Sequence, residues 1–211
     1  MSHHTLLHRA VGPLVTGLAR IGIAPDLVTA LRFVTGIGAS ACLLAGRGPL
    51  MVAGALLWAV SMLLDRTDGA LARFTGRSSR YGARIDLISD CLCTMTLFLG
   101  LGIGVGARPG GMSMLGGALM GGVAAIAVAV TFAALSRIEP EEEQRRPVDP
   151  DDVMLVVPVL ILCGQTSVLL LLAAILAPVG AVAAVFLLAQ RSRAEARLRR
   201  SIIAVSSRFR S

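Results

Sequence analysis

Residues 63–90 read LLDRTDGALARFTGRSSRYGARIDLISD, and this stretch decides how the rest of the chain is read. It sets four aspartates, Asp65, Asp68, Asp86 and Asp90, in one polar window of an otherwise apolar sequence. Acidic side chains so close to hydrocarbon-rich sequence are expensive, and they mark functional sites. Their spacing is that of helix faces. Asp65, Asp68, Gly69, Ala72 and Arg73 fall at offsets 0, 3, 4, 7 and 8, a single stripe. Gly82, Asp86 and Asp90 fall at 0, 4 and 8, a second stripe on the next helix. The eight residues between Arg73 and Gly82 make the two helices antiparallel neighbours whose stripes can face each other.

The 211 residues have a mean hydropathy of +0.77, and 16% of them are charged. Soluble domains carry about 25% charged residues. Several apolar stretches approach or exceed the roughly 20 residues that cross a bilayer. The expected fold is therefore an all-α integral membrane protein, a single domain over 1–211. It begins with an amphipathic interfacial helix at 5–23, broken near Pro13. Six transmembrane helices follow, at 27–45, 50–73, 82–105, 112–135, 151–164 and 167–189, then a basic tail at 190–211.

The net charge is +7, and all twenty basic residues are arginine. A pI near 10.8 could suggest nucleic acid. Arginines at the cytoplasmic ends of membrane helices explain it better, so no nucleic-acid partner is expected. With six spans, only Arg47 and Arg108 lie on the far side, and the other eighteen sit at near ends. That places both termini, the loop after Arg73 and the 137–150 connector in the cytoplasm, with the protein in the plasma (inner) membrane. Cys42, Cys91, Cys93 and Cys163 lie in apolar segments and read as small packing residues. Gly116, Gly117, Gly121 and Gly122 suit close helix packing.

Four converging carboxylates repel one another, and one or two divalent ions relieve this. Oxygen-only ligands favour Mg²⁺, Mn²⁺ or Ca²⁺ over zinc. Gly69 and Ala72 keep the first stripe shallow, so a ligand can approach the backbone, and Arg73 supplies a cation for phosphate.

The complete string, D-x2-D-G-x2-A-R-x8-G-x3-D-x3-D, resembles the signature of the CDP-alcohol phosphatidyltransferase family, and every fixed position matches. The resemblance implies that an alcohol attacks the β-phosphorus of a CDP-linked substrate and that CMP leaves. It implies two Mg²⁺ or Mn²⁺ ions, with Asp65, Asp68 and Asp86 as ligands and Asp90 at the second ion. Asp90 would also be the general base. Gly69, Ala72 and Arg73 would contact the CDP moiety, and Gly82 would allow its close approach. Pro25-Asp26-x-x-Thr29-x-x-Arg32 resembles the family's P-N-x-x-T segment, which makes Asp26 and Thr29 nucleotide contacts. A helix cap explains Asp26 equally well. A homodimer is a further implication, and the partners implied are a CDP-linked lipid or alcohol and membrane lipids.

Arg77, Arg80 and Arg84 could gather an anionic lipid or an acceptor phosphate, though positive-inside charge explains them as well. Asp149, Asp151 and Asp152 could bind acceptor hydroxyls, with one of them capping a helix. In the family it resembles, members that take a phosphorylated acceptor tend to carry extra basic residues around the fourth and fifth spans. Here that region is mostly acidic, apart from Arg137, Arg145 and Arg146, so the resemblance implies a neutral polyol or amino-alcohol acceptor. Ser79-Arg80-Tyr81-Gly82 resembles the S-R-F-G of inositol-using branches. The expected reaction is phosphatidyl transfer from CDP-diacylglycerol to a polyol such as inositol. Alternatives are a soluble CDP-alcohol donor such as CDP-inositol, or phosphatidylglycerophosphate synthesis. A small ion or metal transporter is the non-enzymatic alternative. Clustering of the acids at one membrane face speaks against it.

Overall fold

The computed structural model describes residues 6–76, 80–108, 112–137 and 154–208. Seven helices run in order among them: α1 (Leu6–Ile21), α2 (Pro25–Leu44), α3 (Gly48–Phe74), α4 (Arg80–Gly106), α5 (Met114–Leu135), α6 (Val156–Leu162) and α7 (Thr166–Arg208). The turns follow local chemistry. Gly22, Gly46 and Gly164 take positive φ where α1, α2 and α6 end. Proline stands in the first turn of α2 and of α3, where its missing N–H has no helical partner to lose. Ser113 caps α5 by accepting the Gly116 N–H.

Five helices are long and apolar enough to cross a membrane: α2, α3, α4, α5 and residues 166–194 of α7. The chain is thus a helical protein of membrane character. The expected span at 151–164 takes a different form. Among the described residues it is only the seven-residue α6, about 10 Å long against a hydrocarbon core of roughly 30 Å. Residues 151–153 lie outside the described residues. Three further expectations change. Pro13 does not break α1, which runs from Leu6 to Ile21. Asp26 is not the cap: Ala24 stands in the cap position before α2 and offers no capping side chain, and Asp26 sits exposed in the first turn. The basic tail expected after 189 continues the helix of the last span, which runs unbroken to Arg208.

Helix α4 is the axis of the packing, clasped by α2 and α5. Glycines on two of its faces allow this. A Cβ at Gly100 or Gly104 would run into the carbonyls of Ser40 or Leu43 on α2. A Cβ at Gly102 would run into the Gly117 carbonyl on α5, and one at Gly121 into that of Phe98. Small residues that let backbones touch are how helices associate without a hydrophobic drive between them. Around this axis Ala39, Leu43, Ala55, Trp58, Leu97, Leu101 and Leu170 form the main core. Phe98, Ala124, Val128 and Ala173 join α4, α5 and α7. A smaller cluster, Val15, Val28 and Leu71, fastens α1 near the start of α2 and the end of α3.

Candidate active site

The start of α2, the end of α3 and the start of α4 meet at one end of the bundle, and the four aspartates meet with them. Asp65 and Asp68 come from α3, Asp86 and Asp90 from α4. One oxygen from each of Asp65, Asp68 and Asp86 lies within 4.8 Å of the other two. These residues are of the kind and spacing that could hold a divalent ion.

Asp68 is buried, and its two oxygens differ. Oδ2 accepts a hydrogen bond from Thr29 Oγ1 at 2.8 Å. Oδ1 is buried with no hydrogen-bond partner among the described residues. An orphaned carboxylate oxygen is costly unless something positive reaches it. A cation held among Asp65, Asp68 and Asp86 would bring positive charge to that carboxylate, so the residues fit a divalent ion. Thr29, expected to touch nucleotide, is placed by the fold against Asp68 and orients that carboxylate.

The residue that sequence reasoning passed over is Arg32. It had been counted among the near-side arginines, yet it is only 3% exposed and stands in the middle of the cluster. Its Nη1 lies 2.8 Å from Asp65 Oδ1 and 2.6 Å from Asp86 Oδ1. Its Nη2 pairs with Asp90 Oδ1. Its backbone carbonyl accepts from Ser61 Oγ at 3.0 Å and from Thr35 Oγ1 at 2.8 Å. Asp90 thus reaches the other carboxylates through a guanidinium. The sequence did carry a signal: an arginine in an apolar segment, one turn past Thr29, has to be paired at that depth.

Gly69 and Arg73 sit on the α3 stripe as the spacing requires. A Cβ at Gly69 would meet only the Arg73 guanidinium, at 3.5 Å, an ordinary contact. Packing within the chain therefore gives no reason for glycine there. Ala72 and Gly82 are half-buried, while Arg73 and Arg84 are exposed. Asp26 is exposed and forms no part of the cluster. Arg77, Asp149, Asp151 and Asp152 lie outside the described residues, and so does the Arg80 side chain.

The sequence pattern of the CDP-alcohol phosphatidyltransferase family matches residues 22–185, a span that takes in α2 to α6 and most of the apolar part of α7. The chain belongs to that family. Its members transfer substituted phosphate groups. Over 82 residues the chain is 38% identical to a phosphatidylinositol phosphate synthase of Mycobacterium marinum, a match covering 39% of this chain and 34% of that protein. Over 87 residues it is 41% identical to the archaetidylinositol phosphate synthase of Aeropyrum pernix, covering 39% of this chain and 43% of that one. These matches take in less than half the length of either relative. The fold is similar to the Mycobacterium tuberculosis phosphatidylinositol phosphate synthase solved with manganese and citrate. The TM-score there is 0.61 at 24% identity, over 84% of this chain and 88% of that one.

Proposed function

We propose that this protein transfers a phosphatidyl group from CDP-diacylglycerol to an inositol-type polyol and releases CMP. The observation that carries the reading is the convergence of Asp65, Asp68 and Asp86 on one point, with a buried Asp68 oxygen left for a cation. Asp65, Asp68 and Asp86 would hold one Mg²⁺ or Mn²⁺, and Asp90 would touch a second. Bound there, such ions neutralise the charge of the diphosphate and of departing CMP. The chain's own residues do the rest. The acceptor hydroxyl bonds to the β-phosphorus as the bond from that phosphorus to CMP breaks, and its proton passes to the Asp90 carboxylate. Arg73 faces phosphate at the rim. The unfilled space at Gly69 lets the nucleotide lie against α3, with Ala72 and Gly82 beside it. Transfer of this kind needs position and charge more than covalent help.

The expected neutral acceptor rests on the acidic 137–150 connector, which beyond Arg137 lies outside the described residues. The relatives' names point another way, because they are synthases of phosphatidylinositol phosphate and archaetidylinositol phosphate. A phosphorylated inositol therefore stands first among acceptors, with Arg84 and its neighbours in sequence, Arg77 and Arg80, as the cations to meet it. We further propose six spans in one domain, the sixth completed by α6 and the residues before it. We place α1 in the interface, the site and both termini at the cytoplasmic face of the inner membrane, and two copies in a dimer. The transporter reading gains nothing: among the described residues, the ligand cluster at this end is the only one.

The test is CMP release by the purified protein in lipid or detergent. CDP-diacylglycerol and Mn²⁺ or Mg²⁺ are supplied with inositol phosphate, inositol, glycerol phosphate or serine as acceptor. Release that needs both metal and an inositol acceptor, and is lost in Asp90→Asn, supports the reading. Release with glycerol phosphate alone would reassign the acceptor. No release with any acceptor moves the donor to a soluble CDP-alcohol.

A further inference from the structure

The buried guanidinium of Arg32 binds carboxylates that a divalent ion would also claim. It touches Asp65 Oδ1 and Asp86 Oδ1, two members of the three-carboxylate cluster, and it binds Asp90 as well. Two cations cannot share these oxygens at contact distance without strong repulsion. Apart from its guanidinium, Arg32 is tied to α3 through its backbone: the Arg32 carbonyl accepts from the Ser61 hydroxyl. A change at this site can therefore be confined to the arginine side chain.

We propose that Arg32 is an internal cation that competes with the divalent ion for the aspartate cluster. It holds the α3 and α4 carboxylates together while no ion is bound, and it gives up Asp65 and Asp86 as the ion arrives. The inference rests on the metal reading given above. Arg32 is a positioning residue in this account: it acts through the aspartates. Its presence weakens metal binding and stabilises the metal-free chain. A merely structural arginine would have the opposite effect on affinity, since its loss would scatter the ligands.

The test is Mn²⁺ affinity, read by electron paramagnetic resonance of the free ion. It is paired with the melting temperature in EDTA and in saturating Mn²⁺, for the wild-type chain, Arg32→Gln and Arg32→Lys. Arg32→Gln should bind Mn²⁺ at least about tenfold more tightly than wild type. It should melt earlier in EDTA and recover most of the difference with Mn²⁺. Arg32→Lys, which keeps one charge but loses the fork, should fall between the two. Affinity that is unchanged or lower in Arg32→Gln overturns the proposal, as does a variant that Mn²⁺ fails to restore. Wild-type protein that binds no Mn²⁺ would instead remove the metal reading on which the proposal stands.

Discussion

Two arginines tie the bundle at its opposite ends, and they do so in different chemical company. Arg108, after α4, donates through Nε to the Gly46 carbonyl at 3.0 Å and through Nη1 to Thr166 Oγ1 at 3.3 Å. It joins three chain segments through neutral acceptors. Arg32, near the start of α2, joins the same number of helices through carboxylates. Neutral acceptors content with one arginine make a joint. Four carboxylates facing one arginine remain short of positive charge, and that shortage makes a site. The two ends therefore respond differently to substitution.

The largest effect should come from Asp90→Asn, which removes the proposed proton acceptor and leaves the shape intact. CMP release should fall by about 10²–10⁴-fold, with the melting temperature nearly unchanged. Next is Gly104→Val, at the Arg108 end of α4, where a side chain would press on the Leu43 carbonyl. Overpacking of this kind costs about 1–3 kcal/mol, so thermal unfolding should move down while Mn²⁺ affinity per folded molecule holds. Thr29→Val leaves the buried Asp68 without its donor. Loss of a partner that orients a ligand typically weakens metal binding about 10–100-fold, which Mn²⁺ titration would read. Smallest is Arg108→Gln, which should cost about 1 kcal/mol in stability and leave Mn²⁺ binding and CMP release alone. If Arg108→Gln lowered metal affinity as Thr29→Val does, the contrast between the ends would fail.

Much of the site was legible because the aspartate stripes are local. Offsets of 3 and 4 along one helix can be counted in a sequence, and the structure brings Asp65, Asp68 and Asp86 together as counted. Arg32 was not legible in the same way. Its partners lie 33 to 58 positions away, on two other helices, and a charge count treats it as one more arginine near a helix end. The contact of Thr29 with Asp68 was not legible either, because a hydroxyl's target depends on which helix passes beside it. The long spans were plain from hydropathy. The region before α7 was less so: Pro158 and Gly164 in a short apolar run set the length of α6, and hydropathy alone cannot weigh them. Pro13 stands inside α1 without ending it: an interior proline costs one backbone hydrogen bond and can kink a helix rather than break it, and the sequence does not say which.

The account's central claim is that the aspartate end, not the Arg108 end, holds a divalent ion. Mn²⁺ titration of the wild-type chain beside an Asp65→Asn, Asp86→Asn double variant tests it most directly. Saturable binding in the wild type, lost in the double variant while its helices stay folded, is the predicted result. Equal Mn²⁺ binding by both chains would contradict it.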